Sequence, residues 1–583
     1  MSNGLAMHKR KAWFNWLPCL EWGSQYSKAA AGKDVLAAVI VTLMLIPQSL
    51  AYAMLAGLPP VTGLYASILP LVLYAIFGTS RTLAVGPVAV ISLMTAAALE
   101  PHFSSGSADY MAAAMLLAIL SGLVLLLMAV FRLGFLANFL SHPVISGFIS
   151  ASGILIALSQ AKHILGVDAG GQTIAELLPS LWQGLEAVQW ATVVLGVASL
   201  VFLFWVRKGL QPLLLKLGIA PVVASAMAKA GPVLAIVATV IAVSLLGLEQ
   251  QGVKVVGAIP SGLPALSLPM MDLGVAWQLL PAAILISLVG FVESVSVAQT
   301  LAAKRRERIE PNQELVGLGS ANIAAALAGG FPVTGGFSRS VVNFDAGAQT
   351  PMAGVLTAIG IALTALFFTP LFHNLPHAVL AATIIVAVLS LVDLASFKST
   401  WKFSRQDFYA QFATFVGVLL LGVEVGIILG VSLSLILYLW RTSRPHFAVV
   451  GQLPGSEHFR NVQRYPEAIC HPEVLSIRVD ESLYFSNARY LEDIVLNLVH
   501  DKPQLKHLVI MCSGVNLIDV SALHSLRAVM HRLSSSGIQL HLSEVKGPVL
   551  DQLQHSRFLT ELTGQVFLSQ YAAIQQLQVR END

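Results

Sequence analysis

TLAVGPVAVISLMTAAA, residues 82–98, and FPVTGGFSRSVVNF, residues 331–344, decide how this chain is read. Each runs from a loop through Gly or Pro punctuation into an apolar stretch too short to cross a bilayer by itself. Short, Gly/Pro-interrupted segments at corresponding positions of two halves mark the binding site of a secondary transporter. A half-helix that begins at mid-membrane aims free N–H groups and the positive end of its dipole at an anion. An anion transporter is therefore the first hypothesis.

Composition agrees with a chain that sits mostly in lipid. Of 583 residues, 56% are hydrophobic and 11% charged, against about a quarter charged in soluble domains. The charge is uneven: Val35 to Leu439 is largely apolar, and charges return from about Arg441. This predicts a cytoplasmic N-terminal region over 1–34, a transmembrane domain over 35–440 and a soluble C-terminal domain over 441–583. The net charge of +3 is small for this size and points to no nucleic-acid role. Cys19, Cys470 and Cys512 are widely separated, with no disulfide framework or metal spacing. The basic run His8-Lys9-Arg10-Lys11 is followed by no hydrophobic cleavable segment, which reads as a cytoplasmic lead-in.

Fourteen apolar segments follow, near 35–53, 63–78, 86–99, 111–131, 143–165, 188–206, 231–247, 276–301, 312–328, 338–348, 352–370, 375–394, 407–420 and 422–440. With the N-terminus inside, the even loops hold Arg81, Arg132, Arg207, Lys208, the cluster Lys304-Arg305-Arg306 with Arg308, then Lys398, Lys402 and Arg405. The odd loops hold Glu100, Asp168, Glu176 and Glu249, with Lys162 and Lys254 as exceptions. That is the positive-inside pattern, and it puts both termini in the cytoplasm. Seven plus seven spans make an inverted repeat, in which span 1 pairs with span 8 and span 3 with span 10. The two broken segments are spans 3 and 10, so symmetry sets their starts face to face.

Candidate chemistry gathers on four spans. In span 8, Glu293 is the only acid; an intramembrane carboxylate costs on the order of 3 kcal/mol and is a functional candidate by default, the competing role being a structural carboxylate held by Ser294 and Ser296. A carboxylate titrating beside an anion site can carry a coupling proton, because each ligand then favours the other. In span 10, Gly335 and Gly336 let backbone approach a ligand, and Phe337, Ser338, Arg339 and Ser340 follow. Arg339 either adds positive field to the site or pairs with Glu293, and direct ligation falls rather to Ser338 and the nearby backbone. In span 3, Gly86 and Pro87 leave the N–H groups of Val88 and Ala89 open. In span 1, Pro47 predicts a kink, while Gln48 and Tyr52, four apart, share a face and either donate to an anion or hold the kink together. No P-loop and no metal-ligand spacing is present, so no cofactor is expected and enzymatic activity is not indicated.

The C-terminal part alternates strand-like and helix-like stretches: strands at 471–479, 482–485, 507–512 and 539–543, helices at 488–500, 521–536 and 547–556. This spacing implies a small α/β sandwich.

These residues resemble the sulfate permease (SulP) family, whose animal members include anion exchangers and prestin. The resemblance rests on IPQSLAYA (46–53), PVTGLYAS (60–67) with GTSR (78–81), GFVES (290–294) and GGFSRS (335–340), departing at Thr62, where the family carries Tyr. It implies core and gate domains, a homodimer, and an anion site between spans 3 and 10 lined by spans 1 and 8. Gln48 and Tyr52 match substrate-contacting positions, and Ser338 with the span 3 start matches the anion cradle. Glu293 matches the acid tied to cation coupling, and Glu there points to protons rather than sodium. The C-terminal part resembles a STAS domain: Asp519-Val520-Ser521-Ala522-Leu523 is similar to the D-S-S-G-L loop of anti-sigma factor antagonists, with Ser521 at the phosphorylatable position. Val520 and Ala522 depart from that pattern, and a helix N-cap by Asp519 or Ser521 is the preferred role.

The expectation is a multi-pass transporter of the plasma membrane, or of the inner membrane in a bacterium, that moves sulfate with a proton by alternating access. Alternatives are a bicarbonate or dicarboxylate symporter or exchanger, an anion channel, and a sensor in which an unknown cytoplasmic partner of the STAS domain carries the function.

Overall fold

The computed structural model describes residues 17–138, 141–220, 224, 227–228, 230–269, 272–500 and 502–579; the basic residues at 8–11 lie outside them. The chain divides into two compact units, 1–434 and 435–583, and the division falls within one helix.

A helix occupies each of the fourteen apolar segments. Those used below are α1 (Lys28–Leu55), α2 (Ala89–Leu99), α3 (Ala108–Val130), α4 (His142–Leu165), α5 (Trp190–Trp205), α6 (Leu273–Arg305), α7 (Pro311–Leu327), α8 (Phe337–Asp345), α9 (Met352–Leu363), α10 (His377–Leu389), α11 (Arg405–Leu421) and α12 (Val423–Ser443). Among the described residues, nine helices are long and apolar enough to cross a membrane. Helices α2 and α8 are not among them, being 11 and 9 residues long. Gly422 alone joins α11 to α12, and its φ of +91° is one that a side chain would strain. Two short helices, Ile174–Gly184 and Leu394–Phe403, lie where the sequence suggests only connections.

Packing in the first unit comes in matched pairs. Helix α3 lies on α6, and α9 lies on α1; α11 lies on α4, and α5 lies on α10. Exchanging each segment for the one seven places away in the order turns one contact of each pair into the other, which is what an inverted repeat requires. The two larger apolar cores of this unit hold, in one, Val85, Val88, Ile91, Phe291 and Phe331 and, in the other, Leu45, Leu50, Ile361 and Val379. Large apolar side chains such as Val130, Val194, Val201, Ile241 and Leu245 remain exposed on the outer helices, a surface that suits lipid rather than water.

The second unit is a six-stranded sheet. Strands β3 (Phe447–Gln452), β4 (Phe459–Asn461), β5 (Val474–Val479), β6 (His507–Met511), β7 (Gln539–Ser543) and β8 (Val566–Phe567) follow the strands β1 and β2 described below and stand in the order β4-β3-β5-β6-β7-β8. β5 to β8 are parallel; β3 and β4 run antiparallel at one edge. Side chains alternate between two cores: Leu508 and Ile510 join one, Val509 the other. The expected strand at 482–485 does not form. Leu483 makes one parallel bridge to Ile518, and the Phe485 N–H is taken by the Asp519 carboxylate at 2.7 Å, so the segment is used as a brace for the next helix.

Candidate functional site

The two broken segments meet. Val85–Gly86 (β1) pairs antiparallel with Thr334–Gly335 (β2), Val85 opposite Gly335 and Gly86 opposite Thr334, and all four residues are buried. Extended backbone inside a membrane domain is tolerated only where its polar groups are satisfied by protein or line a cavity. Here protein groups satisfy it. Asn322 of α7 brackets Val333, accepting from its N–H and donating to its carbonyl, each at 2.9 Å. Ser294 of α6 accepts from Gly335 N–H at 2.8 Å and bonds the Thr334 hydroxyl at 2.7 Å, while Thr334 donates to the Gly290 carbonyl at 2.7 Å. A Cβ at Gly290 would stand 2.9 Å from that hydroxyl, so the glycine lets α6 lie this close.

The chain leaves the crossing as two helices that start side by side. Val88 caps α2 and Gly336 caps α8, both extended, and neither start is closed by a capping side chain. The N–H groups of the first turn of each helix have no partner within the helix. Each helix end carries about half a positive charge, so the paired starts supply roughly one unit between them.

Nine of the residues singled out in the sequence line one cavity of about 40 Å³: Gln48 and Tyr52 from α1, Val88 and Ala89 at the α2 start, Gly336, Phe337, Ser338 and Arg339 at the α8 start, and Glu293 from α6. That volume holds roughly three water-sized groups, the scale of one small anion. The far wall is Ala387, Val388 and Leu391, on α10 and just beyond it. No sequence signal marks that wall, because three aliphatic residues in an apolar run look like any packed helix.

Arg339 is buried, and its Nη1 donates to the Pro87 carbonyl at 2.6 Å, tying the α8 arginine to the last residue before the α2 cap. Its Nε and Nη2 have no hydrogen-bond partner among the described residues. Arg339 and Glu293 share the cavity, yet no ion pair joins them within 4.0 Å, so of the two roles open to Arg339 the pairing with Glu293 is not formed here. A Cβ on Gly336 would come within 2.8 Å of Nη2, so the glycine is what admits the guanidinium.

Gly86, Pro87 and Ser340 lie behind this lining rather than in it. Gly86 is held in the β1–β2 pair, and Pro87 contributes its carbonyl to Arg339. Ser340 is fully buried; its hydroxyl donates to Gly336 O at 2.7 Å and accepts from Ala84 N–H at 3.0 Å. Both bonds fix the crossing, so the expectation of direct contact with a ligand is corrected to a supporting role. Asn343 acts similarly, donating to the Thr82 carbonyl at 3.0 Å. In the other unit Ser521 is exposed on the first turn of the helix Val520–Ser535, and Asp519 is the N-cap, accepting from Ala522 N–H at 2.8 Å. Among the described residues no group of His, Cys, Asp and Glu has the arrangement of a metal site.

The sulfate permease family profile matches residues 32–414, and the STAS domain profile matches residues 465–573. The chain is 37% identical to sulfate transporter 4.1, chloroplastic, of Arabidopsis thaliana over 93% of this chain and 80% of that protein. It is 34% identical to the high affinity sulfate transporter 2 of Stylosanthes hamata over 95% of this chain and 85% of that one. Its backbone follows that of the murine solute carrier 26 family member A9 anion transporter in the inward-facing state, with a TM-score of 0.88 at 22% identity over 99% and 96% of the two chains. The transmembrane domain of a cyanobacterial bicarbonate transporter aligns with a TM-score of 0.58 at 22% identity over 71% of this chain and 98% of that domain.

Proposed function

This chain belongs to the sulfate permease family, and on that premise we propose that it is a secondary active transporter of a small inorganic oxyanion, sulfate, taken up with a proton. One observation carries the reading: two helix starts, a buried arginine with two free donor atoms and one carboxylate surround a single small cavity. The α2 and α8 N–H groups, the Ser338 hydroxyl and the free Arg339 donors replace the water that a dehydrated oxyanion gives up. Gln48 and Tyr52 add donors from α1. Glu293 carries the coupling proton: an anion beside it favours the protonated carboxyl, and the protonated carboxyl favours the anion by the same factor.

Alternating access follows if the wall at Ala387, Val388 and Leu391 moves relative to the β1–β2 crossing, opening the cavity to one side and then the other. The rigidity of the crossing, with its buried side-chain bonds, supports a cycle in which the site travels or rocks as one body. The reading includes fourteen spans, a transmembrane domain ending near residue 440, both termini in the cytoplasm, a homodimer in the plasma membrane or bacterial inner membrane, and a STAS domain that receives an unidentified partner. Relatives named as sulfate transporters support the choice of anion.

The test is uptake into proteoliposomes of labelled sulfate, bicarbonate and fumarate, repeated across pH with and without sodium. Sulfate accumulating against its gradient, driven by an inward proton gradient and indifferent to sodium, is the expected result. Transport of bicarbonate or fumarate without sulfate overturns the substrate, sodium dependence overturns the coupling ion, and unitary current steps overturn the transporter class.

A further inference from the structure

A second cavity, of about 370 Å³, is lined by Lys162, His163, Asp168, Thr192, Lys254 and His377. It is distinct from the central cavity. His377 is the first residue of α10, and Ala387, ten residues along the same helix, lines the central cavity. At 1.5 Å per residue the two lie about 15 Å apart.

The lining is built by close backbone contacts. His377 N–H donates to the Lys254 carbonyl at 3.0 Å, and Val255 bridges Pro376, which brings Lys254 to the start of α10. Gly166 ends α4 at φ +70°; a Cβ there would meet Thr192 Cβ at 3.1 Å and its Oγ1 at 3.2 Å, so the glycine lets the end of α4 approach the start of α5. Thr192 is 4% exposed, lines the cavity, and its hydroxyl has no hydrogen-bond partner among the described residues. A buried, unpartnered hydroxyl calls for an explanation. The His163 and His377 rings meet edge to face, with centroids 5.7 Å apart.

The charge balance selects the ligand. Asp168 is already bound by Lys254 Nζ at 2.7 Å, and the hydrogen bond and charge of that lysine hold its carboxyl below the ordinary range. That pair leaves as donors Lys162, the one further lysine of the lining, two imidazoles and the Thr192 hydroxyl. Lys162 makes no ion pair within 4.0 Å among the described residues, and its charge also acts on Glu100, in the neighbouring cavity that Lys162 lines as well. Helices α5 and α10 begin here and α4 ends here, so two positive dipole ends stand against one negative end. We propose that this cavity is a second binding site, for a small inorganic oxyanion, held by Lys162, the Thr192 hydroxyl and the two imidazoles. Lying at the opposite end of α10 from the central cavity, it serves as a waiting site that raises the local anion concentration at one mouth of the transport path. The choice of oxyanion as the ligand rests on the transport reading above.

The measurement is equilibrium binding of labelled inorganic sulfate to the purified full chain in detergent, in the Ala89→Leu background, where the central cavity is filled. One site is expected to remain, and adding Lys162→Gln with Thr192→Val is expected to weaken it at least about tenfold. Lys162→Arg with Thr192→Ser restores it, which a folding defect would not allow. Binding unchanged by the double substitution, or absent in the Ala89→Leu background, overturns the proposal. Because binding is scored without transport, the two readings fail separately: a chain that moves no sulfate but keeps the Lys162-dependent site breaks only the transport reading, and a chain that moves sulfate without that site breaks only this one.

Discussion

The two helix starts at the crossing occupy equivalent places and are made of different material. The α2 start presents Val88 and Ala89, both buried, with backbone N–H as its only polar groups. The α8 start presents Phe337, Ser338 and Arg339, of which the first two are exposed and the third carries two unpartnered donor atoms. Paired strands and matched helix contacts supply one geometry to both halves. The side chains then divide the labour: one start is a shaped, apolar backbone cradle, the other the chemically adjustable face. A dimension that must not change was placed on the α2 side, and a chemistry that can be tuned on the α8 side.

The strongest challenge to this division comes from a residue on neither start. Glu293→Gln keeps the volume beside both helices and removes the proton. Uphill sulfate uptake driven by a proton gradient is expected to vanish, while exchange of sulfate for sulfate across the same vesicles persists at a reduced rate. Retained uphill uptake would assign the coupling elsewhere. Next is Ala89→Leu, which adds three carbons to a residue lining a cavity of about 40 Å³. Binding at the central cavity and transport should both fall by two orders of magnitude or more, because the added carbons take up most of so small a space. Ala89→Gly, by contrast, should cost little. If Gly and Leu act alike, the cradle is not defined by its shape.

Ser338→Ala tests the adjustable side. It removes one hydroxyl donor and leaves the N–H row and Arg339 in place. The expected effect is a KM for sulfate raised about tenfold with the maximal rate little changed, the size of one charge-assisted hydrogen bond. Ser340→Ala, two residues on, should do the reverse. Its hydroxyl bonds Gly336 O and Ala84 N–H inside the protein, so the loss should appear as about 1–3 kcal/mol of stability in a detergent melt, with the KM unmoved. A shared phenotype for these neighbouring serines would erase the distinction between lining and support.

That serine pair also shows what sequence reading can and cannot separate. Half-helices, their pairing, Glu293 and the polar lining were all legible, because polarity, Gly and Pro are conspicuous inside apolar runs. In GGFSRS it is the family resemblance that sets Ser338 apart from Ser340; by position alone one turn of helix carries both, and only the direction of each side chain differs. The supports Asn322 and Thr334 were passed over, and Ser294 was named only as a partner for Glu293, for a related reason: each satisfies backbone beyond its own turn of helix or strand, which no local pattern records. In the second unit the short strands β4 and β8, three and two residues long, fall below any periodicity, and the stretch 482–485 has strand composition but serves as a brace.

The smallest expected effect sets the scale for the others, because it concerns a charged contact with water beside it. In the second unit Asp480 accepts from Arg478 Nη2 at 2.9 Å and bonds His446 Nδ1 at 2.7 Å, tying β3 and β5 together past their ends. Partial burial raises its carboxyl, but the hydrogen bonds and charges of Arg478 and His446 outweigh that and leave it below its ordinary 3.8. A carboxyl whose folded value is depressed contributes stability above the unfolded value and loses it as pH falls through the folded one. The contribution is therefore complete above about pH 4 and fades below it. A half-exposed network of this kind is worth under about 1 kcal/mol, so Asp480→Asn should accelerate hydrogen exchange in β3 and β5 of the full chain only several-fold at pH 7. It should also flatten the acid dependence of that exchange. Arg339 is buried where Asp480 is partly exposed, and its bond to the Pro87 carbonyl meets far less competition from solvent, so Arg339→Gln should cost far more than Asp480→Asn. If the two substitutions prove equally mild, water reaches the crossing freely, and the case for a dehydrated anion between α2 and α8 goes with it.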